Sequence, residues 1–196
     1  MEIETKNIAI FASGRGSNAK AIIEYFRNDE RVKIVLIVAN DPLAGVLELS
    51  KENDIHSLII DREMFYRTDK LDKELKKHNC DLIVLAGFLW LVPSRLLRKY
   101  PGQIINIHPA LLPKYGGKGM YGMHVHKAVK DGGDDQSGIT IHFVNENYDE
   151  GNQLFQASCM LDPKDKPEEI AAKVLKLEHY HFPRQIEKFL FGTIRL

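Results

Sequence analysis

Short apolar runs alternate along the chain with longer segments that are apolar on one side only. The runs at 7–12, 33–38, 57–60, 82–86, 103–107, 139–144 and 154–160 have the length and apolar content of strands. Helix-period segments fill the gaps, at 17–26, 43–52, 68–77, 93–99, 125–130 and 167–191. In the third of these, Leu71 and Leu75 stand four apart among lysines, which predicts a surface helix with one buried side. Pro167-Glu168-Glu169 opens the last one well, with proline in the first turn and acids at the positive end of the dipole. Pro183 is expected to interrupt and kink it. The alternation predicts an α/β fold: a single-domain, doubly wound, mostly parallel sheet with its ligands at the carboxyl ends of the strands. The last two strands lack a full helix between them and are expected to pair antiparallel, followed by a long C-terminal helix.

Composition narrows the partners. Lys plus Arg and Asp plus Glu are balanced at 27 each, so no net field draws the chain to nucleic acid or to an anionic membrane. Small-molecule substrates are expected, with no nucleic acid and no membrane. Segment 1–6 has no apolar signal core, and no apolar run reaches the length of a membrane span. The two cysteines, Cys80 and Cys159, have neither disulfide-framework nor metal-type spacing, which fits a reducing, cytoplasmic setting.

The first strand runs into Ser13-Gly14-Arg15-Gly16-Ser17-Asn18, and a helix follows. Glycines there allow backbone N–H groups close to an anion, at a helix terminus whose dipole favours it. Ser17 or Asn18 can cap the helix or donate to phosphate oxygens. Ala19 completes a G-x-G-x-x-A pattern, and Asp41 near the end of the second strand can reach a ribose hydroxyl. The Walker lysine is absent. A tight strand-to-helix turn with an ordinary cap explains the same residues, so the loop alone points to phosphate without naming its bearer.

In Ile104-Ile105-Asn106-Ile107-His108-Pro109, a buried strand ends on an amide and an imidazole two residues apart, hence on one face. Each must find a partner or cost roughly 1–3 kcal/mol in lost hydration. A pair of satisfied structural groups is the plain alternative. The stretch 109–122 after it is rich in Gly and Pro, and Leu112-Pro113 is open to either isomer. Asp149 lies in a loop after a later strand; placed near His108, its charge is expected to raise the imidazole pKa toward or above neutrality. Such a set suits a reaction that develops an oxyanion and moves a proton. His108, His124, His126 and Asp149 also compose the ligand types of a zinc hydrolase, and a nucleotide-binding module without chemistry is the non-enzymatic alternative.

Asn106-Ile107-His108-Pro109-Ala110-Leu111-Leu112-Pro113, with the Asp149 loop and the Gly14 to Asn18 loop, closely resembles the folate-dependent formyltransferase family, over about residues 6–191. Gly16-Ser17-Asn18 and Glu178-His179 resemble the branch that acts on glycinamide ribonucleotide. The resemblance implies the formyltransferase fold across 1–196. It also implies transfer of a formyl group from 10-formyltetrahydrofolate, as co-substrate, to the amine of 5-phosphoribosylglycinamide in purine synthesis. Asn106, His108 and Asp149 would be catalytic, with protonated His108 and Asn106 stabilising the oxyanion. Gly16, Ser17, Asn18 and Glu178 would hold the ribonucleotide. Arg67, Leu89, Trp90, Leu91, Val92, Asn106, Asn145 and Asp149 would border the folate, the 89–92 stretch largely through its backbone. No metal and no covalent intermediate are implied, and a monomer or weak homodimer is expected. Relatives that deformylate the folate carry an N-terminal regulatory domain, for which a first strand near Asn7 leaves no room. Those that formylate methionyl-tRNA carry a C-terminal extension for the tRNA. Residues 116–120 form a glycine-rich insertion relative to the family pattern and are expected to act as a mobile lid.

Overall fold

A computed structural model describes residues 4–192; Met1 to Ile3, the start of the segment without a signal core, and 193–196 lie outside the described residues. The chain gathers into two compact units, one up to Ile105 and one from Asn106, so the boundary falls inside a strand.

In the first unit, β1 (Lys6–Ala12), β2 (Val32–Ala39), β3 (Ser57–Ile59) and β4 (Leu82–Leu85) are linked through α1 (Ser17–Phe26), α2 (Val46–Glu52), α3 (Arg62–Arg67) and α4 (Lys70–Lys77). α5 (Ser94–Lys99) leads to β5 (Ile104–His108), in which the boundary lies. β1 pairs in parallel with β2 on one side and β4 on the other, and β2 pairs in parallel with β3. The chain thus starts in the middle, winds outward, then crosses back, which leaves a switch point beyond the carboxyl ends of β1 and β4. The central strands are apolar on both faces because both are covered: Ile8 to Ala12, Leu36 to Ala39 and Leu82 to Val84 are wholly buried. Leu71 and Leu75 of α4 are wholly buried too, as their spacing requires.

The second unit holds α6 (Met123–Gly132), β6 (Gln136–Phe143), β7 (Gln153–Met160) and α7 (Pro167–Leu190). β6 and β7 pair antiparallel, as expected for strands joined without a helix. At the start of α7, the Lys166 backbone N–H donates to the Glu169 carboxylate at 2.7 Å. Pro183 does not break α7, which runs through it with the ring buried. The strand order is β3-β2-β1-β4-β5-β6-β7. Among the described residues no helix is long and apolar enough to cross a membrane.

The expected elements are present, and three of the differences from expectation have a plain physical cause. The short helix α3 was not anticipated; Asp61 caps it by accepting the Met64 N–H at 2.7 Å, and Phe65 buries its inner face. α2 starts at Val46, because 40–45 is a turn in which Asp41 accepts the Leu43 N–H. β6 starts three residues early, at polar Gln136, since pairing to β7 rather than burial extends it.

Candidate active site

In the second unit, β5 delivers Asn106 and His108 to one face, and the loop after β6 brings Asp149 to them. The His108 Nδ1 lies 3.4 Å from Asp149 Oδ2, with both side chains largely enclosed. The other ring nitrogen, Nε2, is 2.8 Å from the Tyr115 carbonyl. A carbonyl only accepts, so Nε2 carries a proton and Nδ1 turns toward the carboxylate. Asp149 Oδ2 also accepts the Gly117 N–H at 2.9 Å.

His142 of β6, wholly buried and not singled out in the sequence, completes the cluster. Its Nδ1 donates to the Phe143 carbonyl at 2.8 Å, which leaves Nε2 to accept from the Asn106 amide at 3.1 Å. Asp149 Oδ1 lies 3.6 Å from the same nitrogen. One amide proton of Asn106 is thereby spent on orientation, and the second is left to address a ligand.

The turn after His108 is held as firmly. Buried Thr140 donates to the Ala110 carbonyl at 2.7 Å and accepts the Leu112 N–H at 3.0 Å. Gln156 of β7 adds bonds to the Thr140 hydroxyl at 2.8 Å and the Leu112 carbonyl at 2.9 Å. The Leu112–Pro113 bond is cis. Neither Thr140 nor Gln156 was legible as a site residue, because only pairing of β6 with β7 brings them to the turn. Alternation of polar residues along β6 was the available signal.

The electrostatics correct one expectation. Burial pushes the His108 imidazole below its ordinary value; the Asp149 charge and the Tyr115 carbonyl raise it without prevailing, and His142 adds to the lowering. Asp149 does not lift His108 toward or above neutrality, because desolvation of a closed site outweighs one carboxylate. For Asp149, burial favours the neutral form but is outweighed by His142, His108 and the Gly117 N–H, which hold it below the usual carboxylate range. Burial thus works toward a neutral His108, while its neighbours work toward an ionised Asp149.

The insertion is also ordered differently from a free lid. Tyr115 and Gly117 bond directly to His108 and Asp149, and a Cβ on Gly116 would lie 2.5 Å from Leu112 Cδ2 and 3.3 Å from Asp149 Cβ. Tyr115 sits at φ 57°, a conformation that costs a bulky residue about 1–3 kcal/mol. The hydrolase ligand set does not assemble. Among the described residues the one group of three convergent ligands is elsewhere, at His56, Glu74 and His78. His124 is exposed, and buried His126 is pushed to lower pKa by burial and by His108.

The first unit carries the candidate phosphate loop. Gly16 is the N-cap of α1 at φ 80° with no side-chain cap, so the ordinary-cap reading is not what the turn adopts. Gly16 is forced by packing: a Cβ would stand 2.9 Å from Val46 Cβ. Around Gly14, by contrast, nothing lies within 4 Å of such a Cβ. Ser17 is exposed and Asn18 buried. Asp41 is engaged in its own turn with Leu43, which removes the ribose partner of the dinucleotide reading.

Of the residues expected around the folate, the Leu89 N–H donates to Ser13 Oγ at 3.0 Å, and the Leu91 carbonyl accepts from the Tyr66 hydroxyl at 3.1 Å. The 85–92 run is not all core: Leu89 is 45% exposed, while Phe88 and Val92 are buried. Trp90 packs against Phe65 and Tyr66 with the Arg62 guanidinium 5.0 Å from its ring centre. Arg67 ends α3 and is exposed. Asn145 accepts the Asn147 N–H at 3.0 Å and so shapes the Asp149 loop. Glu178 is buried in α7.

A buried imidazole with a half-buried amide and carboxylate beside it, at the end of a strand, has the composition of a group-transfer site. Residues 6–186 match the model of the family described as formyl transferase, and the chain belongs to that family. It is 43% identical over 185 residues to a chloroplastic phosphoribosylglycinamide formyltransferase of Arabidopsis thaliana, covering 91% of this chain and 63% of the plant protein. The chain thus spans less than two thirds of that relative's length. To phosphoribosylglycinamide formyltransferase of Haemophilus influenzae it is 34% identical, over 97% of this chain and 90% of the relative. The crystal structure of phosphoribosylglycinamide formyltransferase from Bacillus halodurans superposes with a TM-score of 0.86 at 32% identity, covering 97% of this chain and 98% of that one.

Proposed function

We propose that the protein transfers the formyl group of 10-formyltetrahydrofolate to the amine of 5-phosphoribosylglycinamide, a step in purine synthesis leading to IMP. The observation that carries this reading is the convergence of Asn106, His108 and Asp149 in a chain of the formyl transferase family. The neutral amine attacks the formyl carbon, and the carbonyl oxygen becomes an oxyanion. The free N–H of the Asn106 amide meets that oxygen, a contribution of about 3–4 kcal/mol in a dry site.

His108 enters neutral, so its first task is that of a base. With the Tyr115 carbonyl displaced, the ring proton passes to Nδ1 beside Asp149 and leaves Nε2 free. Nε2 accepts the amine proton as the new C–N bond forms, and the resulting imidazolium, paired with Asp149, stabilises the oxyanion by its charge. It then returns the proton to the folate nitrogen as the old C–N bond breaks. The Tyr115 carbonyl stands where Nε2 would meet a ligand oxygen, so the 115–117 segment shifts when substrate binds.

Gly16, Ser17 and Asn18 receive the phosphate through first-turn N–H groups and side chains, and Glu178 receives the sugar. Arg67, Leu89 to Val92, Asn145 and Asp149 border the folate; for Leu89 and Leu91 this leaves the Leu89 carbonyl and the Leu91 N–H. The reading implies small-molecule partners, a cytoplasmic setting and a monomer or weak homodimer. The test incubates pure protein with both substrates and follows release of tetrahydrofolate. Turnover dependent on the ribonucleotide is expected; folded protein that releases none sinks the proposal.

A further inference from the structure

The three convergent ligands lie in the first unit and take no part in the chemistry above. His56 closes the segment before β3, and its carbonyl accepts the Ile37 N–H at 2.9 Å, which ties it to the sheet register. Glu74 and His78 stand one turn apart at the end of α4, where the His78 N–H bonds the Glu74 carbonyl at 3.1 Å. α4 is in turn pinned by wholly buried Leu71 and Leu75. Two backbones fixed by the core therefore present three side chains to one point.

The side chains are arranged for a shared partner and lack one. Glu74 Oε2 is 4.0 Å from His56 Nε2 and 3.8 Å from His78 Nε2, too far for hydrogen bonds. The His78 Nε2 is buried without a hydrogen-bond partner. The two rings stack at 5.1 Å with 26° between planes, and a ligand atom from each of the three residues lies within 4.8 Å of the others. Ligands on a tetrahedral zinc ion stand about 3.3 Å apart, given Zn–N bonds of about 2.0–2.1 Å. Closing to that spacing takes about 0.5–0.7 Å between Glu74 and each histidine and at most about 1.5 Å between the two histidines, within the reach of rotamer adjustments. Lys77, 3.4 Å from Glu74 Oε2, is the cation that an ion would displace.

We propose that His56, Glu74 and His78 bind one divalent ion of the zinc class, with solvent as the fourth ligand. Two imidazoles and one carboxylate suit zinc, nickel or copper and disfavour magnesium. The ion clamps the start of β3 to the end of α4. This departs from the sequence reading, which expected no metal, and it leaves the formyl transfer untouched.

The experiment titrates chelator-treated full-length protein with zinc chloride by calorimetry, with metal content checked by elemental analysis. One equivalent per chain is expected, with a rise in Tm and no comparable binding of magnesium. His56→Ala, Glu74→Gln and His78→Gln should each weaken zinc binding about a hundredfold or more. Formyl transfer should stay at its metal-free level in all three. His56→Ala changes a half-exposed residue and keeps the test decisive if His78→Gln folds poorly. Absence of saturable zinc binding, or binding that survives all three substitutions together, overturns the proposal.

Discussion

Two loops leave the carboxyl ends of strands, one after β1 and one after β5, and they are built from opposite materials. The first is backbone: Gly14 stands in open space, Gly16 is pressed on Val46, and no side chain caps the helix that follows. The second is side chain: Thr140, Gln156, His142 and Asp149 hold its turn, its amide and its imidazole. A cradle of N–H groups carries no titrating charge, so it is indifferent to pH and intolerant of a single Cβ. A cluster of coupled side chains has the opposite weakness, since one atom changed alters the charge of its neighbours.

The largest break in this contrast is His108→Ala, which removes both base and cation. It should lower kcat roughly a hundred- to a thousandfold, with the far-ultraviolet spectrum unchanged. Asp149→Asn follows, with a loss of about ten- to a hundredfold and a change of pH dependence. The Asp149 charge raises the His108 pKa, so removing it lets that pKa fall. Activity needs neutral His108, so the acid limb of the pH–rate profile should move to lower pH. A limb that stays in place assigns that titration to another group.

Thr140→Val tests the side-chain loop without touching a titrating group. It strands the Leu112 N–H and the Ala110 carbonyl and should cost roughly 1–3 kcal/mol in chemical denaturation. Gly16→Ala, at φ 80° and 2.9 Å from Val46, should cost a similar ~1–3 kcal/mol, though it alters no polar group. The smallest effect on stability and the sharpest on meaning is Gly14→Ala. With open space around it, stability should change by less than about 0.5 kcal/mol, while KM for the ribonucleotide rises and KM for the folate does not. An unchanged ribonucleotide KM would remove Gly14 from the anion site.

Much of this was legible in the chain. Unbroken apolar runs placed β1 and β4, and one-sided periodicity placed α1, to within a residue or two, because the strands are buried on both faces and the helix on one. Asn106, His108 and Asp149 were readable as a group through the family resemblance, since an amide and an imidazole at a strand end read equally well as satisfied structural groups. His142 was not, because an isolated histidine within an apolar strand looks the same whether it packs or bonds. α3 escaped because six residues with one buried side chain, Phe65, carry too little period to stand out.

The sequence by itself determined which residue types stand at which strand ends, and the family resemblance attached a class of chemistry to them. Local patterns suffice for that, since strand and helix periods are properties of neighbours in the chain. Only the tertiary structure decided the charge of His108, because desolvation depends on everything packed around the ring. It alone docked the 115–117 segment on the catalytic pair and brought His56 to Glu74 and His78. These contacts depend on how the chain turns back on itself, whether over seven residues from His108 to Tyr115 or 32 from Gly117 to Asp149, and no pattern along the chain encodes the distance between them.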